Sequence, residues 1–280
     1  MNDKEISWEQ AVLWLREQPD KQQLVRDCFY DDPIEDAAER FYQSEEWRGI
    51  DKLLSHKFPC AVLDIGAGRG ISSYAFAKQG CTVTALEPDP SPIVGSQCIR
   101  SLFEKTGLSV TIVNDFGEQL PFQNDTFDIV YGRAILHHAK DLHKLCNEAA
   151  RVLKKRGLFL FTREHVISRK EHLLQFLNSH ELHYLYKGEN AYPLSEYKKV
   201  IVKAGLKILK TYSPLSTPIN YYPLSENQLQ SEIRAMIQRK LGSALARSEV
   251  FFKMISACYI YYNSITSNIP GRLYSFMAVK

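Results

Sequence analysis

The chain lacks three features that would place it in a specialised class: a long apolar run, closely spaced cysteines and a strong excess of one charge. Its six cysteines lie far apart without a C-x-x-C pair, so we expect most of them to be small core residues rather than a disulfide framework. The N-terminal residues contain no apolar export segment, which together with the cysteine pattern predicts a cytoplasmic location. The 35 basic and 32 acidic residues nearly balance, which disfavours a nucleic-acid or membrane surface.

The most apolar late segment, residues 250–262, is interrupted by Lys253 and is too short to span a bilayer. We therefore expect no membrane span, and we expect this segment in the protein interior or at a subunit interface. With 280 residues and 45% hydrophobic content, the chain can bury one large core, alone or with an appended cap.

Six short apolar runs alternate with helical segments through the chain. They are residues 61–65, 82–86, 109–113, 127–131, 157–161 and 206–212. Strands that alternate with helices are usually parallel and joined by right-handed crossovers. The pattern predicts an α/β fold with a doubly wound sheet, whose ligand site lies at the carboxyl ends of the strands.

A glycine turn with acidic neighbours follows the first of these runs. Asp64 precedes Gly66, Gly68 and Gly70, in a turn tight enough to let a ligand lie against the main chain where a helix begins. Glu87 ends the second apolar run, and its two carboxylate oxygens suit the vicinal hydroxyls of a ribose. Adjacent parallel strands would bring both features to one crevice, so we predict a nucleoside site.

The spacing of the glycines separates this turn from the dinucleotide-binding fingerprint. That fingerprint needs a glycine at its sixth position, where this chain has Ile71. An acidic group beside the turn also disfavours a pyrophosphate and favours a cationic ligand. Residues 64–70, D-x-G-x-G-x-G, resemble the first motif of the class I S-adenosylmethionine-dependent methyltransferases of the type 11 kind, and Glu87 resembles their second motif.

The resemblance implies S-adenosylmethionine as the cofactor. At the matched motif positions it implies the following cofactor-binding residues: Asp64, Gly66, Ala67, Gly68, Glu87 and Pro88. It also implies a Rossmann-like, mostly parallel sheet of seven strands with an antiparallel last strand, for which residues 271–280 are the candidate. The interval before that strand is predicted to hold two helices, residues 226–240 and 243–264.

We accordingly divide the chain into four parts. Residues 1–54 are expected to form an N-terminal helical cap of two or three short helices, residues 55–217 the cofactor-binding core, residues 218–270 a helical insertion and residues 271–280 the final strand. Two interpretations of the cap are open. Its aromatic side chains and Arg40 contact the cofactor, or they pack the helices together, which we slightly favour.

Residues 114–122, N-D-F-G-E-Q-L-P-F, resemble the family's third motif, G-D-A-E-x-L-P-F. The resemblance implies that Asp115 accepts a hydrogen bond from the adenine amine and that Phe116 packs on the adenine face. Counted back from the shared L-P-F, the usual acid falls on Phe116, so Asp115 is displaced by one residue. An Asp115 that only caps a turn is the alternative.

The fourth apolar run continues into a segment that resembles F-D-x-V followed by L-H-H in the same family. This implies a position for Arg133 beside the cofactor, where it would pair with the methionine carboxylate. If they are helical, His137 and His138 point about 100° apart and cannot both reach one ligand. They also lack the spacing and the acidic third partner of a zinc site, so we expect no bound metal.

Two catalytic candidates follow the fifth run. Glu164 and His165 lie where acceptor substrates sit in this fold, and His165 suits a general base because its unperturbed pKa is near neutrality. A hydrogen-bonded scaffold role is the alternative for His165. A base is needed only if the acceptor has a proton to lose.

The acceptor is predicted to be a small polar metabolite or a sugar unit of a glycan. Polar and aromatic residues in the segment 180–192 and at Tyr221 and Tyr222 suit a hinged lid over such a molecule, or equally a surface loop. An RNA methyltransferase would rely on the basic residues of the insertion: Arg234, Arg239, Lys240, Arg247 and Lys253. A nicotinamide-dependent oxidoreductase of related fold and a non-catalytic nucleoside sensor are further alternatives. The insertion is also a candidate homodimer interface.

Overall fold

A computed structural model describes residues 6–180 and 182–280. Within these residues eight strands form one sheet, in the order β3-β2-β1-β4-β5-β8-β7, with β6 paired to β5. The strands are β1 Ala61–Ile65, β2 Thr82–Leu86, β3 Thr111–Val113, β4 Phe127–Arg133, β5 Leu153–Ile167, β6 Tyr192–Pro193, β7 Lys207–Tyr212 and β8 Arg272–Val279. The predicted doubly wound α/β fold is confirmed, including the last strand, which runs antiparallel to both β5 and β7.

The central strands are in register, so that their carboxyl ends meet at one edge of the sheet. Ile65 at the end of β1 pairs with Leu86 on β2 and with Gly132 on β4. Both neighbours are parallel to β1. The turn after β1, the acid after β2 and the segment after β4 therefore lie side by side, as the alternating sequence pattern predicts.

Two features of the sheet differ from the expectation. The strand predicted at residues 157–161 extends over the 15 residues of β5, because its second half pairs with β6 and β8. The sheet also contains one strand more than the seven expected. This strand is β6, whose two residues are too few to show an alternating pattern. Arg163 has a φ of 60° at an irregularity where the pairing of β5 with β8 shifts register.

Residues 6–54, the described part of the N-terminal region, contain four α-helices rather than two or three: α1 Trp8–Glu17, α2 Gln22–Asp27, α3 Ile34–Gln43 and α4 Glu45–Leu54. Ser7 begins α1 with a capping box, and the Ser44 hydroxyl caps α4 by accepting the Trp47 N–H. Phe41 and Trp47 are buried in the main hydrophobic core. The interpretation of these aromatic residues as helix packing therefore fits their positions.

Helices cover both faces of the sheet. The core helices are α5 Ile71–Lys78, α6 Ser96–Thr106, α7 Leu142–Val152, α8 His172–Ser179, α9 His183–Tyr186 and α10 Leu194–Lys203. Phe76 of α5 and Ile99 of α6 lie in one apolar cluster with the N-terminal helices, whereas Leu145 of α7 and Tyr197 of α10 lie in the other. The sheet separates the two clusters because its side chains alternate between the faces.

The insertion before β8 consists of α11 Pro218–Tyr221, α12 Glu226–Leu241, α13 Ser243–Arg247 and α14 Glu249–Thr266. The second predicted helix is thus interrupted at Ser248, whose hydroxyl caps α14. Of the two positions expected for residues 250–262, the protein interior holds for Phe252 but not for Val250 or Tyr261, which are 82% and 68% exposed, and the subunit interface stays a prediction. None of the described helices is both long and apolar enough to cross a membrane.

Candidate functional site

The N–H groups of the glycine turn after β1 donate to acceptors of the protein itself. The N–H groups of Gly66 and Ala67 both donate to the Leu86 carbonyl, at 2.9 and 3.1 Å. The Gly68 N–H donates to Glu87 Oε2 at 2.7 Å. The turn is therefore bound to the end of β2, and a carboxylate occupies the position where a phosphate-binding turn would leave its amides free.

Gly66 and Gly68 both have left-handed backbone conformations, with φ of 65° and 55°, but their surroundings differ. A Cβ on Gly66 would lie 2.4 Å from Ile135 Cδ1, so this glycine makes room for a side chain of the protein. A Cβ on Gly68 would meet only the Val94 carbonyl oxygen, at 3.9 Å. Open space beside the main chain is therefore found at Gly68.

Asp64 is buried at the end of β1. Its Oδ2 accepts hydrogen bonds from the hydroxyls of Ser72 and Ser73, at 2.8 and 2.6 Å. Its Oδ1 is buried and has no hydrogen-bond partner among the described residues. Burial raises the pKa of Asp64 to about 6, although the two serine hydroxyls act in the opposite direction. A buried acceptor without a donor indicates a place for a ligand donor.

Glu87 follows β2 directly. Its Oε1 accepts from the Asp89 N–H at 2.9 Å, so each carboxylate oxygen receives one backbone donor and retains a second lone pair. Burial raises the pKa of Glu87 to about 7 against these two backbone hydrogen bonds. The predicted ribose role stays a prediction, and the free lone pairs are compatible with it.

A pocket opens at the ends of β1 and β2, lined by Gly66 and by Leu86 and Pro88, the two chain neighbours of Glu87. Its lining includes Pro88, Asp115 and Phe116, all predicted from the sequence, together with Ile135 and Lys140. Asp115 Oδ1 accepts the N–H of the adjacent Phe116 at 2.8 Å, and both its adenine role and the turn-capping alternative stay predictions. The Phe116 ring is 51% exposed, and the Lys140 ammonium lies over it, 4.7 Å from the ring centroid.

Arg133 ends β4 and forms two hydrogen bonds with the buried Glu46 carboxylate, at 2.7 and 3.0 Å. Arg163 lies 3.7 Å from the same carboxylate and donates to the carbonyls of Ile219 and Tyr222. Burial by itself would lower the pKa of Arg133, but the Glu46 carboxylate holds this pKa above its usual value. Its partner within the chain is thus Glu46, which the sequence analysis did not identify, and a cofactor contact of Arg133 stays a prediction.

Arg69, inside the glycine turn, connects the N-terminal helices to the site. Its buried guanidinium donates to the carbonyls of Phe29 and Asp31, at 2.6 and 2.8 Å, and to the carboxylate of Asp32. It also donates to the Ile93 carbonyl at 3.0 Å. Arg40, the cap residue considered for the cofactor, donates instead to Asp31. The cap is therefore held at the turn by charge-assisted hydrogen bonds.

Both oxygens of Glu164 are occupied within the protein. Oε1 accepts the N–H groups of Ile135 and Leu136, both at 3.1 Å, and Oε2 accepts the His137 N–H and contacts His137 Nδ1 at 2.7 Å. Burial raises the pKa of Glu164 to about 7, against the three backbone hydrogen bonds. These contacts favour a positioning role, and a catalytic role of Glu164 stays a prediction.

His165 lies beside His137, with ring centroids 4.6 Å apart. Its Nδ1 contacts the Gly271 carbonyl at 2.8 Å, which leaves Nε2 as the ring atom not engaged by the backbone. Burial lowers the pKa of His165. The scaffold alternative thus has a specific partner, and the predicted general-base role stays a prediction.

The two adjacent histidines approach one carboxylate although they lie in a helical turn. Leu136–His138 is a single turn of 3-10 helix, and the Nε2 atoms of His137 and His138 lie 3.7 and 3.9 Å from Glu189 Oε2. The expectation that they cannot reach one group is therefore wrong. Burial, with the nearby His138 and His165, holds the pKa of His137 well below its usual value.

The predicted lid segment, residues 180–192, packs against the N-terminal cap. The Ile6 N–H donates to the Leu185 carbonyl at 3.2 Å, and the rings of Trp8 and Tyr186 lie 4.6 Å apart. Glu181 falls within this segment and lies outside the described residues. A role in substrate binding stays a prediction, but the segment is more than an isolated surface loop.

Sequence reasoning missed several residues that organise this site, namely Glu46, Arg69 and Glu189. Glu46 lies in a helical stretch whose other signals are capping and amphipathicity, so nothing distinguishes it from a surface acid. Arg69 occupies a motif position that carries no residue preference in the pattern D-x-G-x-G-x-G. Glu189 lies in the segment 180–192, which was considered as a lid. The polar and aromatic composition of this segment was the only sequence signal for a role of Glu189.

Comparison with known proteins agrees with this geometry. Residues 63–161 match the model of a family described as a methyltransferase domain. The chain is 33% identical to a sarcosine/dimethylglycine N-methyltransferase of Aphanothece halophytica, over 47% of this chain and 46% of the relative. It is 27% identical to a ubiquinone biosynthesis O-methyltransferase of Rhizobium leguminosarum, over 66% of this chain and 73% of the relative. The matched part thus spans about half the length of the first of these relatives.

Solved structures share the fold at low sequence identity. A geranyl diphosphate methyltransferase in complex with S-adenosylmethionine superposes with a TM-score of 0.57 at 15% identity, covering 90% of this chain and 94% of that one. A phosphoethanolamine N-methyltransferase of Haemonchus contortus, in complex with S-adenosylhomocysteine, gives a TM-score of 0.57 at 18% identity, covering 98% of this chain and 60% of that one. Residues 63–161 therefore form a methyltransferase domain of the class I type, for which S-adenosylmethionine is the cofactor.

Proposed function

We propose that this chain transfers a methyl group from S-adenosylmethionine to a small polar metabolite or to a sugar unit of a glycan. The observation that carries the proposal is the Glu87 carboxylate at the glycine turn. It receives the N–H groups of Gly68 and Asp89 and keeps acceptor capacity on both oxygens. Those oxygens suit the two hydroxyls of an adenosyl ribose.

Further residues of the site fit the rest of the cofactor. The unpartnered Oδ1 of Asp64 suits the cationic methionine part, because a buried carboxylate oxygen without a donor favours a nearby ammonium. The open side of Gly68 leaves room for the ligand against the main chain. Asp115 and Phe116 line the adjacent pocket, and we assign them to the adenine amine and the adenine face.

The same turn disfavours a nicotinamide dinucleotide. Its amides at Gly66, Ala67 and Gly68 already donate to acceptors of the protein. The neighbouring Glu87 carboxylate would repel a pyrophosphate in a buried setting. A dinucleotide would therefore have to displace existing hydrogen bonds and approach a like charge.

When bound, S-adenosylmethionine supplies a methyl carbon activated by sulfonium, and an acceptor lone pair displaces the sulfur in line. The protein has to position the acceptor and exclude water. Contact between the segment 180–192 and the N-terminal cap supports an enclosed space for a small acceptor. Where the acceptor is a hydroxyl, we assign proton acceptance to His165 Nε2, and we assign the positioning of the neighbouring loop to Glu164.

Two observations bear on the size of the acceptor. The names of the relatives, a sarcosine/dimethylglycine N-methyltransferase and a ubiquinone biosynthesis O-methyltransferase, refer to small molecules. Arg234, one of the basic residues on which RNA binding would rely, pairs with Glu249 at 2.9 Å and donates to the Ala246 carbonyl. Both favour a small acceptor over RNA.

Calorimetric titration tests the cofactor assignment. We expect S-adenosylmethionine to bind the full chain and NADH not to bind, with a loss of about 10- to 100-fold in affinity for Glu87→Gln and for Asp64→Asn, as hydrogen bonds to a charged group would give. Glu104→Gln, on an exposed acid of α6, is the matched control and should bind like the unmodified chain. Unchanged affinity in both site variants, or tight NADH binding, would contradict the assignment.

Transfer of a labelled methyl group to candidate acceptors tests the substrate class. We expect labelling of small polar amines or hydroxyl compounds, or of oligosaccharides, and none of RNA. A labelled RNA product, accompanied by binding that weakens steeply with salt, would favour the RNA alternative instead.

A further inference from the structure

We propose that His137, His165 and Glu189 hold one divalent transition-metal ion, with His138 in reach as a further ligand. The candidate ligand atoms of the first three residues all lie within 4.8 Å of one another. They come from the turn after β4, from β5 and from the segment before β6. Imidazole nitrogens with a carboxylate oxygen suit zinc and related ions.

Two of the imidazoles are fixed in the tautomer that binds metal through Nε2. A carbonyl oxygen can only accept, so His165 Nδ1 must donate to Gly271 at 2.8 Å, and His138 Nδ1 must donate to Gly188 at 3.1 Å. The neutral rings then carry a lone pair on Nε2. Metal-binding histidines are typically held in this way, by a carbonyl or carboxylate on the other ring nitrogen.

His137 has the carboxylate form of the same arrangement. Its Nδ1 lies 2.7 Å from Glu164 Oε2, and Glu164 also accepts three backbone N–H groups. The three backbone donors favour the ionised form of Glu164, and with Glu164 ionised the imidazole proton belongs on His137 Nδ1. The lone pair on Nε2 is then directed to the opposite side of the ring from Glu164.

Glu189 supplies the negative charge. Its Oε2 is buried and has no hydrogen-bond partner among the described residues, although His137 Nε2 lies 3.7 Å away and His138 Nε2 3.9 Å away. A proton on either ring nitrogen would bring the pair to about 3.2 Å or less. Several acceptors that face one another without a proton between them repel, and a cation among them removes that repulsion.

The spacing is compatible with a small ion. Zinc lies about 2.0 to 2.2 Å from nitrogen and oxygen ligands, so the ligand atoms of a tetrahedral site are roughly 3.3 Å apart. The distance of 3.7 Å between His137 Nε2 and Glu189 Oε2 is only slightly larger. Small rotations of the side chains would therefore complete the site.

The test is calorimetric titration of the untagged, chelator-treated full chain with Zn²⁺. We expect one ion per chain and a loss of at least about 100-fold in affinity for Glu189→Gln and for His165→Gln, more than removal of a supporting residue typically costs. His143→Gln, on an exposed histidine of α7, is the matched control and should bind Zn²⁺ like the unmodified chain. Thermal unfolding shows whether each variant keeps its fold.

Co²⁺ added to the unmodified chain gives a second readout that does not depend on the variants. We expect the intense visible absorption of a four- or five-coordinate cobalt ion, abolished by an equivalent of Zn²⁺. Absence of Zn²⁺ binding, absence of this absorption, or equal Zn²⁺ affinity in Glu189→Gln, His165→Gln and His143→Gln would overturn the proposal.

The metal proposal does not depend on the identity of the acceptor. His165 Nε2 cannot bind an ion and accept a proton at the same time, so the general-base role assigned to His165 applies to the metal-free chain. S-adenosylmethionine affinity should be unchanged in Glu189→Gln, because Glu189 lies outside the residues assigned to the cofactor. In the unmodified chain, absence of Zn²⁺ binding with normal cofactor binding would overturn the metal site alone. Absence of cofactor binding with normal Zn²⁺ binding would overturn the proposed function alone.

Discussion

At the scale of single residues, the two acids of the nucleoside crevice differ from ordinary surface acids because they are buried. Asp64 and Glu87 are 1% and 7% exposed, and their pKa values are raised to about 6 and about 7. Burial disfavours the charged form of each group, and the donors around them only partly compensate. A ligand that supplies further donors would favour ionisation, so cofactor binding and proton release should be coupled.

This coupling predicts a pH dependence for adenosine, a probe that carries the ribose and has no group of its own titrating near neutrality. If the ionised Glu87 binds the ribose, the affinity should be full above pH 7 and fall as the pH is lowered, by up to about tenfold per pH unit. Calorimetric titration with adenosine from about pH 5.5 to about pH 8.5, a range that brackets about pH 7, measures this pH dependence. Glu87→Gln should remove the dependence; a profile that is flat in the unmodified chain would exclude Glu87 as the group responsible.

Gly68 offers a residue-scale test of where the ligand lies. Gly68→Ala places a methyl group in the open space of the turn, at a φ of 55°. Gly107→Ala is a matched control at the far end of α6, because Gly107 has a φ of 68° and a Cβ added there would meet nothing within 4 Å. Each variant should lose about 1 to 2 kcal/mol of unfolding free energy, measured in urea.

Only Gly68→Ala should also lose cofactor affinity, by about tenfold or more, since a methyl group forced into an occupied space costs about 1 to 3 kcal/mol. Equal cofactor affinities in the two glycine variants would mean that the ligand does not approach Gly68.

At the scale of secondary-structure elements, ion pairs fix the cap to the strands. Glu46 on α4 pairs with Arg133 at the end of β4, and Arg69 in the turn holds the segment that precedes α3. Glu46 is fully buried, and the Arg133 guanidinium hydrogen-bonds to both of its carboxylate oxygens. The position of the cap over the sheet is thus decided by a few charged side chains as well as by apolar packing.

Arg133→Met should therefore lower the free energy of unfolding by about 3 kcal/mol, because it leaves Glu46 buried without its main partner. The double variant Glu46→Gln with Arg133→Met should recover part of this loss. Lys105→Met breaks the exposed pair with Glu35 and should change stability by no more than about 0.5 kcal/mol. Denaturant unfolding measures all three.

If the single and double variants were equally unstable, the pair would not be the cause. The double variant also separates the two roles considered for Arg133. Normal S-adenosylmethionine affinity in a folded double variant would assign Arg133 to structure, whereas a loss would support a cofactor contact as well.

At the scale of the whole molecule, the insertion exposes large apolar side chains on helix α14. On α14, Val250 is 82% exposed, Tyr262 63% and Ile265 64%. Exposed apolar side chains grouped on one element often mark an interface between subunits. A homodimer through the insertion accordingly stays a prediction.

Sedimentation velocity tests this prediction. We expect a dimer for the unmodified chain and a monomer for Val250→Lys with Tyr262→Lys, because two buried charges would be costly at the interface. Leu174→Lys, at a position 67% exposed on α8, is the control and should leave the dimer intact. A monomeric unmodified chain would exclude the interface.

Much of the fold could be predicted because its strongest signals are local. The strands at residues 61–65 and 82–86 have their predicted bounds, because turn-forming glycine and proline residues follow each strand closely in the sequence. The second half of β5 could not be predicted, because its partners β6 and β8 come later in the chain. The number of cap helices was underestimated because short helices depend on caps and packing more than on a long apolar period.

The site shows the same division. The amino-acid sequence by itself determined the glycine turn, its acidic neighbours and the methyltransferase domain of residues 63–161, because these signals are local and their spacing follows from backbone geometry. Only the tertiary structure decided that Glu46 faces Arg133 and that Glu189 meets three histidines from other elements. Such contacts depend on how strands and helices pack, and sequence spacing carries no information about distances between residues that are joined only through the core.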